Sequence, residues 1–255
     1  MNLCDGIDPP CSPRLGRVEI VMLATPEVAH YSWLGESSWA AYAGHHGYSL
    51  HVCRENLVPD MHINWSKIEL VRRRLAATDA QYLLLVDADS FVFRPAEPFD
   101  LLWRPDREIV FSNDQPFPRP GAFKIGRRHL LRWRLRQWKL PNAGFVMMRV
   151  ESYARDFFDR WLDHARNDFR HLSDTHPRNQ NVLWRALLPL EHRQLAVLDN
   201  QVVRLTHPSH IRHLRKLQPF AVHFKNTTIP TSLLSDIVPT LAHDRPQRNS
   251  NYIAR

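Results

Sequence analysis

The segment that most constrains the fold is Tyr82–Phe93, which reads Tyr-Leu-Leu-Leu-Val-Asp-Ala-Asp-Ser-Phe-Val-Phe. Its continuous apolar run is typical of a short strand buried on both faces of a parallel sheet. The run ends at two carboxylates, Asp87 and Asp89. Side chains two positions apart in an extended segment point to the same side, so the pair can converge just past the end of the strand. Ligands bind at this edge of open α/β sheets.

The Asp87/Asp89 pair indicates a cation site. Two carboxylates so close together repel each other unless a cation or hydrogen-bond donors compensate their charge. Magnesium or manganese is commonly held by one or two carboxylates together with the phosphates of a substrate. A strand that simply ends in a polar loop, where Asp is common, is the alternative. The buried strand that leads into the pair favours the metal site.

The elements before this strand alternate between strand and helix patterns. In chain order we predict a strand, a helix, a strand, a helix and the strand that ends at Asp87, over Arg17–Thr25, Val28–Ala43, Tyr48–Cys53, residues 65–77 and the apolar run Leu83–Val86. This order predicts a parallel, Rossmann-like sheet with right-handed crossovers. No glycine-rich phosphate loop follows the first strand, so a bound phosphate would need a metal and basic side chains.

The chain of 255 residues shows no break in composition that would demand two domains. We expect an irregular N-terminal arm over residues 1–16, one α/β domain over residues 17–229, and a C-terminal tail over residues 230–255. The expected fold class is α/β, with a mostly parallel central sheet flanked by helices.

Further polar residues lie at the ends of later predicted elements. Asp114 is the last residue of a predicted strand over Glu108–Asp114, and Asn142-Ala143-Gly144 opens another strand. Glycine permits close backbone approach there, and the Asn amide can both donate and accept hydrogen bonds. Asn179 and Gln180 lie in the first turn of a helix, where side chains often face a cleft. His223 and Lys225 lie on one side of a short strand by its period of two.

The charge of the chain suits an anionic partner. Lys and Arg number 34 and Asp and Glu 26, a net charge of +8, which is compatible with nucleic acid, nucleotide or acidic lipid. The stretch Arg127–Lys139 fits a helix and strand alternation equally well. It is a candidate acceptor loop, membrane-surface element or nucleic-acid patch, or else a solvated basic face.

Three cysteines do not make a disulfide framework, so a reducing compartment is the simpler expectation. No apolar run has the length of a signal-peptide core or a membrane span. We expect a cytoplasmic protein, with peripheral membrane contact through Arg127–Lys139 as an alternative.

Taken in order, these motifs resemble the GT-A-fold glycosyltransferases, nearest in pattern to the family 34 galactosyl-, mannosyl- and xylosyltransferases. The resemblance covers residues 17–226 and rests on six short motifs: Thr25, Trp65-Ser66-Lys67, Leu85-Val86-Asp87-Ala88-Asp89, Asn142-Ala143-Gly144-Phe145, Asn179-Gln180 and His223-Phe224-Lys225.

The resemblance implies a nucleotide-sugar donor bound through a divalent ion that is usually manganese; we favour a UDP-sugar over a GDP-sugar, and the sequence leaves the base open. Asp87 and Asp89 would hold the ion and the ribose or diphosphate, with His223 as the third protein ligand. Carboxylate oxygen with imidazole is a ligand set that manganese accepts more readily than calcium. Four further residues would contribute to the donor site: Thr25, Lys67, Gly144 and Lys225. Among these, the two lysines would neutralise the diphosphate. The acceptor would be a glycan, a lipid-linked molecule or a small molecule.

The stereochemistry of transfer follows from the resemblance as well. An inverting enzyme needs a carboxylate base on the acceptor hydroxyl, and Asp114 is the candidate. A retaining reaction needs no such base, and Gln180 and Asn142 would shelter the cation-like sugar. The resembled family is retaining, which favours retention. Asn179 departs from the family pattern, where Asp is usual, and this leaves the role of that position open.

Two other functions compete with glycosyl transfer. A nucleic-acid-binding protein would use the basic Arg127–Lys139 stretch and bind oligonucleotides with a strong salt dependence; we consider nucleic acid the weaker alternative. A nucleotidyltransferase would share the fold but usually has a glycine-rich basic signature after the first strand, and Ala24-Thr25-Pro26-Glu27 is not one.

Overall fold

The computed structural model describes residues 16–114, 140–191, 193–206, 214 and 217–224. Outside these residues lie Lys225, the Arg127–Lys139 stretch, nearly all of the predicted N-terminal arm and the whole of the predicted C-terminal tail.

Within the part of the chain that the structure describes, the central sheet has six strands. They are β1 (Val18–Leu23), β2 (Ser49–Cys53), β3 (Tyr82–Asp87), β5 (Ile109–Asn113), β6 (Pro141–Arg149) and β7 (Leu195–Val197), arranged in the order β2-β1-β3-β6-β5-β7. Strand β6 runs antiparallel to both neighbours, whereas the β1–β2, β1–β3 and β5–β7 pairs are parallel. The predicted, mostly parallel sheet is confirmed, with one reversed strand inside it.

A second sheet of three strands lies beyond the end of β3. It is formed by β4 (Ser90–Val92), β8 (Val203–Thr206) and β9 (Ala221–Phe224) in the order β4-β9-β8. The sequence from Gln194 to Leu205 has a strand-like pattern, but it forms two strands, β7 and β8, that belong to different sheets. A turn at Asp199 separates them, in which Asp199 accepts hydrogen bonds from the backbone N–H groups of Gln201 and Val202.

Among the described residues, three long helices cover the central sheet, namely α1 (Ala29–His46), α2 (Ser66–Ala77) and α3 (Ser152–Arg166). Shorter elements follow α3: α4 (Arg170–Ser173), α5 (Asn179–Val182), a π-helical turn (Leu183–Leu187) and α6 (Leu188–Glu191). Single 3₁₀ turns lie at Pro26–Val28, Ile63–Trp65 and Phe99–Leu102. Helix α1 ends at Gly47, whose φ of 71° places it in the left-handed region that glycine adopts readily.

The alternating side chains of β3 divide the core into two layers. Leu83 and Leu85 pack into one apolar cluster with side chains of α2 and α3, whereas Leu84 and Val86 pack into the other with side chains of α1. All four are fully buried. Because both faces of the strand are covered, β3 is apolar throughout until Asp87, as the sequence pattern predicts. Helices therefore flank the central sheet on both sides.

Candidate functional site

Three polar segments meet at one edge of the central sheet. Strands β3 and β5 run in the same direction and end there, at Asp87 and just before Asp114. Strand β6 runs the other way and so begins at this edge, which brings Asn142 beside them. The reversal of β6 therefore places residues from one strand start and two strand ends side by side.

The turn between β3 and β4 is held by hydrogen bonds on both sides. The Ser90 hydroxyl donates to the Asp87 carbonyl oxygen over 2.6 Å. The backbone N–H of Phe224 donates to the Asp89 carbonyl oxygen over 3.1 Å, and Ser90 is paired with His223 in the β4–β9 ladder. The second sheet thus carries His223 to the tip of β3.

Asp87, Asp89 and His223 form a compact group. One ligand atom from each residue lies within 4.8 Å of the others. The His223 Nε2 atom is 3.4 Å from the Asp87 Oδ2 atom and 3.2 Å from the Asp89 Oδ1 atom. The structure brings these three predicted ligands together, and the group could hold a metal ion.

The environment of His223 favours positive charge. Burial of the imidazole acts to lower its pKa, but the negative charges of Asp89 and Asp87 outweigh burial, so that the pKa of His223 lies above its ordinary value. Its other ring nitrogen, Nδ1, is buried and has no hydrogen-bond partner among the described residues. Two carboxylates around one imidazole therefore suit a divalent cation both in ligand type and in charge.

Lys67 lies against the same group. Its Nζ atom donates to both oxygens of Asp87, over 2.8 and 3.0 Å. The lysine side chain is 10% exposed, so the charge of Asp87 has a nearly buried partner. Helix α2 places Lys67 in its first turn, beneath the end of β3.

Gly144 faces His223 and Asp87 rather than open space. A Cβ atom at this position would lie 2.2 Å from His223 Cε1, 2.5 Å from His223 Nδ1 and 2.8 Å from Asp87 Oδ2. Any larger residue would push these side chains away. The glycine therefore makes room for two of the candidate ligands. Its predicted contact with a nucleotide-sugar donor stays a prediction.

The three residues that the sequence suggests for catalysis form one hydrogen-bonded cluster. The Asp114 Oδ1 atom accepts from Asn142 Nδ2 over 2.9 Å and from Gln180 Nε2 over 3.1 Å. The Asn142 Oδ1 atom in turn accepts from the backbone N–H of Gly144 over 2.7 Å. Two neutral amides thus orient one carboxylate.

Both groups open into one cleft with a volume of about 450 Å³. Of the predicted site residues, those that line it are Thr25, Lys67, Asp87, Asp89, Asp114, Asn142, Gln180 and His223. Gly144 is buried behind Asp87 and His223, and Lys225 lies outside the described residues.

Several residues of the cleft wall are not among those predicted from the sequence, including Tyr31, Asn64 and His176-Pro177-Arg178. The tripeptide immediately precedes Asn179-Gln180, so its position beside a predicted cleft helix is the signal that could have identified it.

Comparison with solved structures places this arrangement in a known fold. Over 88% of its length the chain matches 99% of a glycosyltransferase involved in the glycosylation of the major capsid of PBCV-1, with a TM-score of 0.64 and 11% identity. It matches 98% of the galactosyltransferase LgtC, determined in complex with donor and acceptor sugar analogues, over 90% of its own length (TM-score 0.51, 12% identity). It also matches the glycosyltransferase GlyE of Streptococcus pneumoniae TIGR4 over 91% of its length but only 61% of that chain (TM-score 0.54, 12% identity).

These likenesses show the fold, which is that of GT-A-type glycosyltransferases, as the sequence resemblance predicts. No protein-family model and no curated protein matches the sequence. Within the described residues, no helix has the length and apolar character needed to cross a membrane.

Proposed function

We propose that this protein is a glycosyltransferase that moves a sugar from a nucleotide-diphosphate donor to a hydroxyl acceptor, with retention of configuration. The observation that carries the proposal is the group formed by Asp87, Asp89 and His223, whose ligand atoms lie within 4.8 Å of one another at the cleft edge of a glycosyltransferase fold. We favour a UDP-sugar as the donor and a glycan, lipid-linked molecule or small molecule as the acceptor.

Asp87, Asp89 and His223 would hold the divalent cation, manganese or magnesium. When bound, the cation supplies Lewis-acid stabilisation of the negative charge that builds on the departing diphosphate. Lys67 adds positive charge at the same place and keeps Asp87 oriented. Thr25, which is buried and lines the cleft, and Lys225 complete the proposed donor site.

The hydrogen-bonded cluster of Asp114, Asn142 and Gln180 would contact the transferred sugar. Gln180 and Asn142 present neutral amide groups beside Asp114, and such groups can shelter a cation-like sugar without reacting with it. In a retaining front-face reaction the leaving phosphate oxygen takes the acceptor proton, so Asp114 positions its neighbours and need not act as a base. An inverting reaction would instead require Asp114 to accept that proton.

The proposal is tested by thermal unfolding with UDP or GDP, each with and without Mn²⁺, followed by detection of UDP release from UDP-sugars. At a ligand concentration about 100 times the Kd, binding should stabilise the fold by about 2.7 kcal/mol, which for a chain of this size raises the Tm by about 5–11 °C. Asp89→Ala should abolish the increase.

Asp156→Ala is the matched control, because it removes an exposed carboxylate from α3, and it should keep the full increase. A wild-type protein whose Tm is unchanged by UDP and by GDP in the presence of Mn²⁺ would contradict the proposal. Tight, salt-sensitive oligonucleotide binding in its place would favour the nucleic-acid alternative.

A further inference from the structure

Arg178 has an unusual backbone and lies in the cleft wall. It lines the cavity immediately before Asn179 and Gln180. Its φ of 45° and ψ of −101° lie outside the regions that residues with a side chain normally adopt. Strained backbone of this kind is often found at ligand-binding positions, where the surrounding structure holds a side chain in place.

The guanidinium of Arg178 has no anionic partner within the described part of the chain. Its Nε atom is buried and donates no hydrogen bond, and no described carboxylate forms an ion pair with it. Arg74, by comparison, contacts the carboxylate of Glu19. A partly buried cation without a partner is costly, and a bound anion would offset that cost.

Arg178 lies beside the amide cluster of the cleft. It immediately precedes Asn179, which donates to the Asn64 carbonyl oxygen over 3.4 Å, and Gln180, which donates to Asp114 over 3.1 Å. Asn64 also lines the cleft. Burial, and after it the positive charge of Arg178, lowers the pKa of His62, two residues before Asn64. Arg178 therefore belongs to the part of the wall that carries Asn64 and Gln180, next to the cluster proposed to contact the sugar.

We propose that Arg178 binds an oxyanion, either a carboxylate or a phosphate, on the acceptor substrate. The proposal rests on the proposed glycosyltransferase function. The planar guanidinium presents paired N–H donors that match both anions. Asn179, the next residue, is an amide, so the adjacent position adds no negative charge that would repel such an acceptor. The acceptor is therefore an acidic or phosphorylated glycan rather than a neutral one.

The test compares the binding of charged and neutral sugars to protein saturated with UDP and Mn²⁺, by titration calorimetry. Three matched pairs serve as probes: methyl glucoside with methyl glucuronide, methyl galactoside with methyl galacturonide, and mannose with mannose 6-phosphate. In at least one pair the anionic sugar should bind about tenfold more tightly or better, as expected of a charge-assisted hydrogen bond. The carboxylate and phosphate pairs distinguish the two anions.

Arg178→Gln should remove this preference while leaving the affinity for UDP with Mn²⁺ within about twofold. Arg178→Gly serves as a second variant, because glycine has no Cβ and adopts positive φ readily. Arg185→Gln, which removes an exposed arginine a few residues further on, should keep the preference.

Equal affinity for the members of all three pairs, or a preference that survives Arg178→Gln, would overturn the proposal. Weaker UDP binding in Arg178→Gln would also overturn it, by assigning Arg178 to the donor diphosphate. If the wild-type protein binds no UDP with Mn²⁺, the proposed function itself fails and the acceptor proposal falls with it.

Discussion

Replacing Gly144 by alanine tests whether His223 has to occupy its observed place. The new Cβ atom would lie 2.2 Å from His223 Cε1, whereas ordinary contacts begin at 3.4 Å. The imidazole must therefore move by roughly 1 Å or the strands must separate. Strand β6 lies between β3 and β5 and is hydrogen-bonded on both sides, so the side chain is the softer element and should move.

Two measurable consequences follow. Overpacking of this kind costs about 1–3 kcal/mol, which at about 2–4 °C per kcal/mol lowers the Tm by about 2–12 °C. Displacing a functional group by about 1 Å can cost about 100-fold in rate. We expect Gly144→Ala to remain folded, to lose most of its stabilisation by UDP with Mn²⁺, and to release UDP from a UDP-sugar about 100-fold more slowly.

Gly44→Ala is the matched control, because a Cβ atom there meets nothing within 4 Å. Gly44 lies in the last turn of α1, where this change should stabilise the fold by at most about 0.5–1 kcal/mol. The double variant Gly144→Ala/His223→Ala should lose less stability than the sum of the single changes, because the clash needs both side chains. Additive losses, or a Gly144→Ala protein with unchanged response to UDP and Mn²⁺, would refute the reasoning.

Two further predictions concern the chain around Asn179. Trp161→Phe removes the buried indole donor to the Asn179 carbonyl oxygen, 2.9 Å away, and should cost about 1–3 kcal/mol in urea unfolding; an unchanged midpoint would mean that the carbonyl has another donor. Asn179→Asp replaces the amide that donates to the Asn64 carbonyl oxygen over 3.4 Å with a carboxylate, and should lower stability by about 1–3 kcal/mol. Asn181→Asp is the control, because the Asn181 amide donates to the Thr175 carbonyl oxygen at an exposed site. It should lower stability clearly less than Asn179→Asp does. Equal losses of stability in the two variants would contradict the role of burial.

The sequence predicts the first half of the fold well because its signals there are local. The apolar run of β3, the amphipathic α2 and the alternation of strands and helices require a parallel sheet covered on both faces, and each of these features is present. The end of β3 also predicts part of the site, because Asp87 and Asp89 can converge only if the strand ends at Asp87.

The later half depends on pairings between distant segments. The apolar run of β6 does not predict the direction of the strand, because a buried antiparallel strand between two parallel strands has the same sequence pattern as any other buried strand. The separation of β7 from β8 depends on the turn at Asp199, and a short polar turn is a weak signal. Arg178 reads in the sequence as one more basic residue in an Arg-rich chain, and only its position in the cleft wall distinguishes it.

The first residues of β6 join the two halves of the candidate site. Asn142 and Gly144 lie close together at the start of the strand, where the Gly144 backbone N–H donates to the Asn142 Oδ1 atom over 2.7 Å. The register of β5 and β6 shifts between Phe111 and Ser112, with Ser112 opposite Asn142 but Phe111 opposite Val146. Through Asn142 the strand bonds to Asp114, and through Gly144 it contacts His223 and Asp87. A shift of β6 would therefore disturb the metal ligands and the amide cluster together, which is why we expect Gly144→Ala to impair both donor binding and sugar transfer.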